Sequence, residues 1–257
     1  FSSSEAGAWS NAYLVSQGQE SVLFDVPMLR ADAEQLASMV QASSSRLTAV
    51  IVSHAHPDHF MGLDVITERF PEARVLSTPR VVADVAEDGP AMFALLKGRL
   101  GPAGPSRLVV PEPLTDLRLQ VGSSPAEVVE FEEGESKHTA ALHLPGSKAL
   151  LCADLVYNGA HLYVAERHID GWLTRLDELE QYAAGRVTTL YPGHGLPGDL
   201  RLVADTRAYL RDFADAIVSG TAAAAEQQML ARYPMHRVKQ FLTMFSLPAF
   251  FPAASTG

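Results

Sequence analysis

Residues 47–59 read Leu47-Thr-Ala-Val-Ile-Val52-Ser-His54-Ala-His56-Pro-Asp58-His59. The nearly continuous apolar run Leu47 to Val52 is the pattern of a strand buried on both faces. It runs directly into His54-x-His56-x-Asp58-His59, four potential metal ligands within six residues. A rigid strand followed by a short loop can aim alternate side chains at one point. His54 and His56 can reach one ion, and Asp58 and His59 can turn toward a second. Neutral imidazole and carboxylate are good zinc ligands. Burying so many titratable groups without partners is costly, which favours a metal reading over a solvated polar loop.

Outward from this stretch, strand and helix patterns alternate. Asn11 to Ser16 and Ser21 to Val26 are short apolar runs around Gln17-Gly18-Gln19-Glu20 and predict a β-hairpin. Ala31 to Gln41 predicts a helix, with Asp32 and Glu34 in its first turn. Phe60 to Phe70 reads as a helix closed by Pro71, and Arg74 to Ser77 as a strand. Val81 to Glu87 and Ala91 to Leu100 read as two helices, followed by the loop Gly101 to Ser106. The middle is β-rich: Leu117 to Val121, Ala126 to Phe131, Ala141 to Leu144 and Ala149 to Cys152. Asp170 to Tyr182 predicts a helix, and Val187 to Tyr191 a strand ending at Pro192-Gly-His194-Gly195. Helices are expected over Leu200 to Val218, Thr221 to Arg232 and Val238 to Phe245. The result is a layered α/β protein with helices outside two sheets.

Composition narrows the function classes. The 257 residues are 47% hydrophobic and 19% charged, the balance of a chain with a sizeable core. No window approaches the ~18 consecutive apolar residues of a membrane span. A net charge of -10 disfavours nucleic acid and anionic membranes as partners. Cys152 is the single cysteine, so neither an intrachain disulfide nor a cysteine-based zinc finger can form. No charged and apolar leader pattern stands at the start, and the expectation is a cytoplasmic protein; a leader already removed would leave the same start.

The histidine motif resembles that of the metallo-β-lactamase-fold superfamily, and further motifs follow in the family's order. Lys137-His138-Thr139 resembles its Gly-His-Thr, Cys152-Ala153-Asp154 its Gly-Asp, and Pro192-Gly193-His194-Gly195 its Pro-Gly-His-Gly. The resemblance spans about Asn11 to Gly195, in the lactonase and glyoxalase-like branch. It implies a four-layer αββα sandwich in one domain over 1–257, with 200–257 as a helical C-terminal extension packed on it. It also implies two zinc ions, with iron or manganese as alternatives. His54, His56 and His138 would hold the first ion and Asp58, His59 and His194 the second, with Asp154 between them. Two dications lower the pKa of a water between them toward neutrality, giving a hydroxide nucleophile.

Two departures stand out. Lys137 replaces the family's glycine and Ala140-Ala141 its Pro-Gly, which makes His143 a rival to His138. Ala153 replaces a second glycine. Tyr157, three residues after Asp154, matches a tyrosine that lactonases of the superfamily set on the substrate carbonyl, against a plain packing role. Asp58 is expected to orient the nucleophile. Cys152, two residues before Asp154 in a strand, and His161 are weighed as contributors to the site, with a core or surface role preferred for each. The expected activity is a dinuclear metal-dependent hydrolase attacking a small-molecule lactone or carboxylic ester. The rivals are a glyoxalase-like thioesterase, a β-lactamase and a mononuclear iron sulfur-dioxygenase. The bridging Asp154 disfavours the β-lactamase, because the subclass with this histidine motif lacks it. The sequence leaves oligomeric state open.

Overall fold

The computed structural model describes residues 1–218 and 220–252. Two five-stranded mixed sheets face one another. The first has the order β1 (Tyr13–Gln17), β2 (Glu20–Phe24), β3 (Arg46–Ile51), β4 (Arg74–Ser77), β5 (Glu112–Pro113). The second has the order β10 (Thr189–His194), β9 (Ala149–Tyr157), β8 (His138–Leu144), β7 (Ser124–Glu132), β6 (Arg118–Val121). β1 and β2 form the expected antiparallel hairpin, with Gln17 opposite Glu20. Gly18 at φ +60 supplies the positive backbone angle that a two-residue hairpin loop needs.

Strand parity divides the core. Val22, Val50, Leu142, Leu151 and Ala153 share one buried cluster that spans both sheets and α1 (Arg30–Ala42). Ala141, Leu150 and Cys152 face the other way, into a cluster with α5 (Ile169–Ala183) and α6 (Arg201–Val218). Trp172, Leu176 and Phe213 fill that outer layer, and α7 (Ala222–Arg232) adds Met229. No helix among the described residues is long and apolar enough to cross a membrane.

The structure redraws four local expectations. The helix expected over Phe60 to Phe70 is two pieces, α2 (Pro57–Phe60) and α3 (Leu63–Arg69). Gly62 separates them, where a Cβ would stand 2.2 Å from the Pro27 carbonyl oxygen. The two helices expected around Pro90 are one, α4 (Pro79–Leu100). Thr78 caps it, accepting from the Val81 N–H, and Pro79 starts it. Apolar residues on both sides of Pro90, Val81 and Val85 before it and Met92, Phe93 and Leu96 after it, pack on the inter-sheet core, and this tertiary burial favours one continuous helix despite the proline. β9 runs five residues beyond Cys152, so Asp154 and Tyr157 lie within a strand. The last helical stretch is a π-helical turn, Phe241–Ser246, followed by α8 (Leu247–Phe250).

Candidate metal centre

The ends of β3, β9 and β10 meet at one edge of the sandwich. His54 and His56 follow β3. The turn of α2, begun by Pro57, presents Asp58 and His59. Asp154 comes from β9 and His194 from the last residue of β10. His59 Nε2 lies 3.6 Å from Asp58 Oδ2 and 3.4 Å from Asp154 Oδ1. His194 Nε2 lies 3.4 Å from Asp58 Oδ2 and 3.3 Å from Asp154 Oδ2. Gly193 makes this approach possible, since a Cβ there would stand 1.8 Å from Asp154 Oδ1.

His138 does not join them. Its Nδ1 lies 2.8 Å from Asp84 Oδ2 on α4, and its side chain is part-exposed. Glu135 takes the place expected for it. Glu135 Oε1 lies 3.1 Å from His56 Nδ1, Glu135 Oε2 lies 3.6 Å from His54 Nε2, and those two nitrogens are 3.1 Å apart. The carboxylate was legible in its flanks: Gly134-Glu135-Ser136 keeps a glycine before the ligand and a hydroxyl after it, whereas Lys137-His138-Thr139 lacks the glycine. His143 is no rival either. It faces the outer layer, where Tyr182 Oη lies 2.9 Å from its Nδ1.

Hydrogen bonds outside the cluster assign the ring protons. Asp25, buried after β2, accepts at Oδ1 from the Ser53 N–H (2.7 Å), and at Oδ2 from the Ser53 hydroxyl (2.7 Å) and His59 Nδ1 (2.9 Å). Ser53 Oγ, its proton given to Asp25, accepts from His54 Nδ1 at 2.8 Å. His194 Nδ1 donates to the Ala8 carbonyl at 3.0 Å. Ala8 and Trp9 hold that carbonyl in place through left-handed backbone angles of 64° and 50°. The Asn11 N–H then bonds the Gly193 carbonyl at 2.7 Å. In each case the inward Nε2 is left as a bare acceptor.

The centre therefore gathers acceptors against acceptors. Asp58 Oδ2, His59 Nε2, Glu135 Oε2, Asp154 Oδ1 and His194 Nε2 are buried without a hydrogen-bond partner. Such a set is stable only around cations or extra protons. Protonation follows that logic. Burial opposes charge on His194, but the Asp154 and Asp58 carboxylates outweigh it and raise its pKa to about 9. Burial would raise Asp58, yet His59 and His194 hold it down to about 2. Burial, with His59 and His56 nearby, keeps His54 well below its usual range and so neutral. The donor set fits two divalent ions: one at His54, His56 and Glu135, the other at Asp58, His59 and His194, with Asp154 able to reach His54 and His59.

The remaining expected residues fall outside this set. Tyr157 is buried, donates its hydroxyl proton to Asp154 Oδ2 at 2.6 Å and stacks on His194 with ring centroids 5.2 Å apart. It does not line the adjacent cleft. Its hydroxyl proton is committed to the Asp154 carboxylate. Cys152 points into the outer-layer core, its thiol 3.4 Å from the Tyr191 carbonyl and pushed up by burial. The expected parity with Asp154 fails because Ala153, at φ +47, breaks the strand's alternation. A glycine is the natural residue there. His161 lies away from the centre, with Nδ1 2.8 Å from Tyr209 Oη.

A cleft of about 450 Å3 opens over the centre. Its floor holds His56, Asp58, Glu135 and Asp154, and its walls include Met28, Met92, Leu95, Phe241, Met244 and Phe245. An adjoining space of about 410 Å3 shares His56, Met92, Leu95 and Tyr163 with it and adds Asp84, Asp88, Lys137 and Glu166. Glu166 Oε1 lies 2.9 Å from His56 Nε2. Lys137 is the one lysine or arginine among the residues described around these spaces, and it is paired with Asp88 at 3.0 Å.

Comparison with known proteins agrees with this architecture. The family model described as "Metallo-beta-lactamase superfamily" matches residues 10–194. Two curated relatives, each named "Metallo-beta-lactamase type 2", come from Bacillus cereus and from Bacillus sp. (strain 170). Each is 26% identical over 211 residues, 79% of this chain and 73% of the relative. Among solved structures, a metallo-beta-lactamase from Pontibacter korlensis superposes with a TM-score of 0.64 at 20% identity, covering 79% of this chain and 87% of that one. The DIM-1 metallo-beta-lactamase exposed to ceftazidime gives 0.61 at 20% identity, covering 79% and 84%. At that identity the structures testify to the fold alone.

Proposed function

This chain belongs to the metallo-β-lactamase superfamily, a family of metal-dependent hydrolases, and on that premise we propose that it hydrolyses an uncharged small-molecule carboxylic ester or lactone. His54, His56, Glu135, Asp58, His59, His194 and Asp154 would hold two divalent ions, which when bound would supply Lewis acidity and acidify a water toward neutrality. The chain's own residues supply the rest. Tyr157 fixes the Asp154 carboxylate through its 2.6 Å hydrogen bond. Asp25 and the Ala8 carbonyl set the tautomers of the inward histidines. Asp58, on the cleft floor, would hold the second ion through its inward Oδ2, and its other oxygen would accept a hydrogen bond from an attacking water and so orient it. The methionine and phenylalanine walls take up an apolar substituent and exclude water.

The observation that carries the substrate class is the charge of the cleft. Its floor and rim bear carboxylates, and its one lysine is committed to Asp88. Beyond the ions themselves, a substrate's own carboxylate meets no unpaired lysine or arginine among the lining residues and faces Asp84, Asp88 and Glu166, which supports a neutral ester or lactone over a β-lactam. The second reading, β-lactam hydrolysis, is favoured by the similarity to the two Bacillus proteins. A panel of neutral aryl and alkyl esters, lactones, thioesters, penicillins and cephalosporins on metal-quantified protein separates them. We expect kcat/KM on the best neutral ester or lactone to exceed that on any β-lactam by ~10²-fold or more, a difference of about 2.7 kcal/mol in transition-state binding. The reverse order would establish the β-lactamase reading in its place.

A further inference from the structure

Glu135 changes more than the geometry of the first site. It converts three neutral imidazoles into two histidines and a carboxylate, and brings the centre to three carboxylates in all, with Asp58 and Asp154. Its side chain is fully buried, and Oε2 accepts no hydrogen bond. His56 and His54 hold it on one side, and the Tyr157 hydroxyl stands 3.4 Å from Oε1 on another. An alternative imidazole is close in sequence yet held away, since Asp84 on α4 keeps His138 Nδ1 at 2.8 Å. Outside the trio, Glu166 takes the outer nitrogen of His56 at 2.9 Å, adding a fourth carboxylate around the centre as a whole.

Ligand hardness follows from that composition. Imidazole suits zinc, whereas carboxylate favours manganese and other hard ions, and two histidines with one carboxylate and open positions suit iron(II). Each added carboxylate also neutralises one more unit of ion charge in a buried site, and an outer carboxylate on a ligating histidine makes that histidine a stronger donor. We propose that Glu135 makes the first site a two-histidine, one-carboxylate position whose relative preference for manganese or iron(II) over zinc is raised. The proposal rests on the two-ion reading above but not on the substrate assigned to it.

The test is metal uptake without substrate. Metal-free wild-type protein and the variants Glu135→His, Glu135→Gln and His138→Ala are equilibrated with an equimolar mixture of manganese and zinc salts. Bound ions are counted by mass spectrometry, with the electron paramagnetic resonance of manganese as a second readout. Relative to wild type, Glu135→His should lower the bound manganese-to-zinc ratio by ~10-fold or more, the size expected for one charged ligand exchanged. Glu135→Gln should lose first-site manganese while leaving the second ion in place, and His138→Ala should match wild type. A ratio unchanged in both Glu135 variants, or a first ion lost on His138→Ala, would overturn the assignment. If Glu135→His fails to fold, as judged by circular dichroism, Glu135→Gln decides alone. Wild-type protein that takes up no ion at all would refute the metal centre and the proposal with it, whereas a hydrolase panel without activity would leave these ratios standing.

Discussion

Replacing Asp25 by asparagine should disable both ion positions although Asp25 touches neither. Its Oδ2 receives the His59 Nδ1 proton at 2.9 Å and the Ser53 hydroxyl proton at 2.7 Å, and Ser53 in turn receives the His54 Nδ1 proton at 2.8 Å. Oδ1 is engaged by the Ser53 N–H. An asparagine that keeps the Ser53 N–H bond turns its NH2 toward the two groups that donated to Oδ2. Ser53 must then give its proton to His54 Nδ1, and His59 Nδ1 must become an acceptor. Both rings shift their proton to Nε2, the atom that faces the centre. Loss of a partner behind a ligating histidine typically costs ~10–100-fold in metal affinity. With one such histidine in each trio, each of the two affinities should fall by that factor, about 1.4–2.7 kcal/mol apiece. Stepwise zinc titration of metal-free protein against a chromophoric chelator resolves the two constants, and circular dichroism checks that the near-isosteric side chain preserves the fold. If the first-site constant stays within about threefold of wild type while the second falls, the relay through Ser53 to His54 is wrong; if the second stays while the first falls, the direct bond to His59 does not set its tautomer; if both stay, Asp25 sets neither.

Three further outcomes follow from the same geometry. Tyr157→Phe keeps the ring on His194 but removes the donor to Asp154 Oδ2, so zinc affinity should drop by ~10-fold, with kcat falling in parallel at subsaturating metal; unchanged affinity with a lower kcat at full occupancy would place the hydroxyl on the substrate instead. Gly193→Ala puts a methyl 1.8 Å from Asp154 Oδ1 and 2.9 Å from His59 Cε1, so one ion should be lost and turnover should fall by at least ~10²-fold, as read by metal counting and kinetics; two ions retained would show that the backbone yields there. Burial, with His236 and Lys239 nearby, lowers the His161 pKa to about 4. The unfolded chain, at ~6.5, then binds a proton that the folded chain refuses, so stability falls as pH drops from ~6.5 to ~4, by roughly 3 kcal/mol in total. Urea unfolding of His161→Gln should show a shallower loss between pH 7.5 and 4.5 than wild type, and parallel pH curves would contradict the assignment.

What could be read from sequence was what is contiguous in sequence. The apolar strand and the spacing of His54, His56, Asp58 and His59 set four side chains at one sheet end without help from the rest of the chain, whereas His194 is picked out only by the resemblance of Pro192-Gly193-His194-Gly195 to the family's motif. The sequence offers His138 as the third group of the first trio, whereas the structure sets Glu135, three residues earlier, beside His54 and His56. Which of them turns inward depends on Asp84, fifty-four residues away from His138, drawing the histidine to α4. Cys152 was weighed on strand alternation, a sound rule that Ala153 breaks with one left-handed residue. Asp25 and Glu166 had no local signature, being single acids 34 and 110 residues from the histidines they serve. The break expected at Pro90 follows local propensity, which apolar packing of α4 on both sides of the proline overrides.

The contact between His194 and the Ala8 carbonyl stores a requirement of the centre in the path of the chain and not in any side chain. Residue 8 is already alanine, so an alanine scan would pass it as silent, and most replacements there would leave the carbonyl where it is. Changing the number of residues between Ala8 and Asn11 is a different matter. Asn11 is pinned by the Gly193 carbonyl, and its side chain reaches the Pro192 and Gly195 carbonyls at 3.0 and 2.7 Å. One residue added or removed in that span displaces the Ala8 oxygen by up to about 3.3–3.6 Å and leaves His194 without its acceptor. Maps of tolerance made by substitution and by insertion or deletion should therefore disagree over these four residues, with the second kind reporting a functional element that the first cannot see.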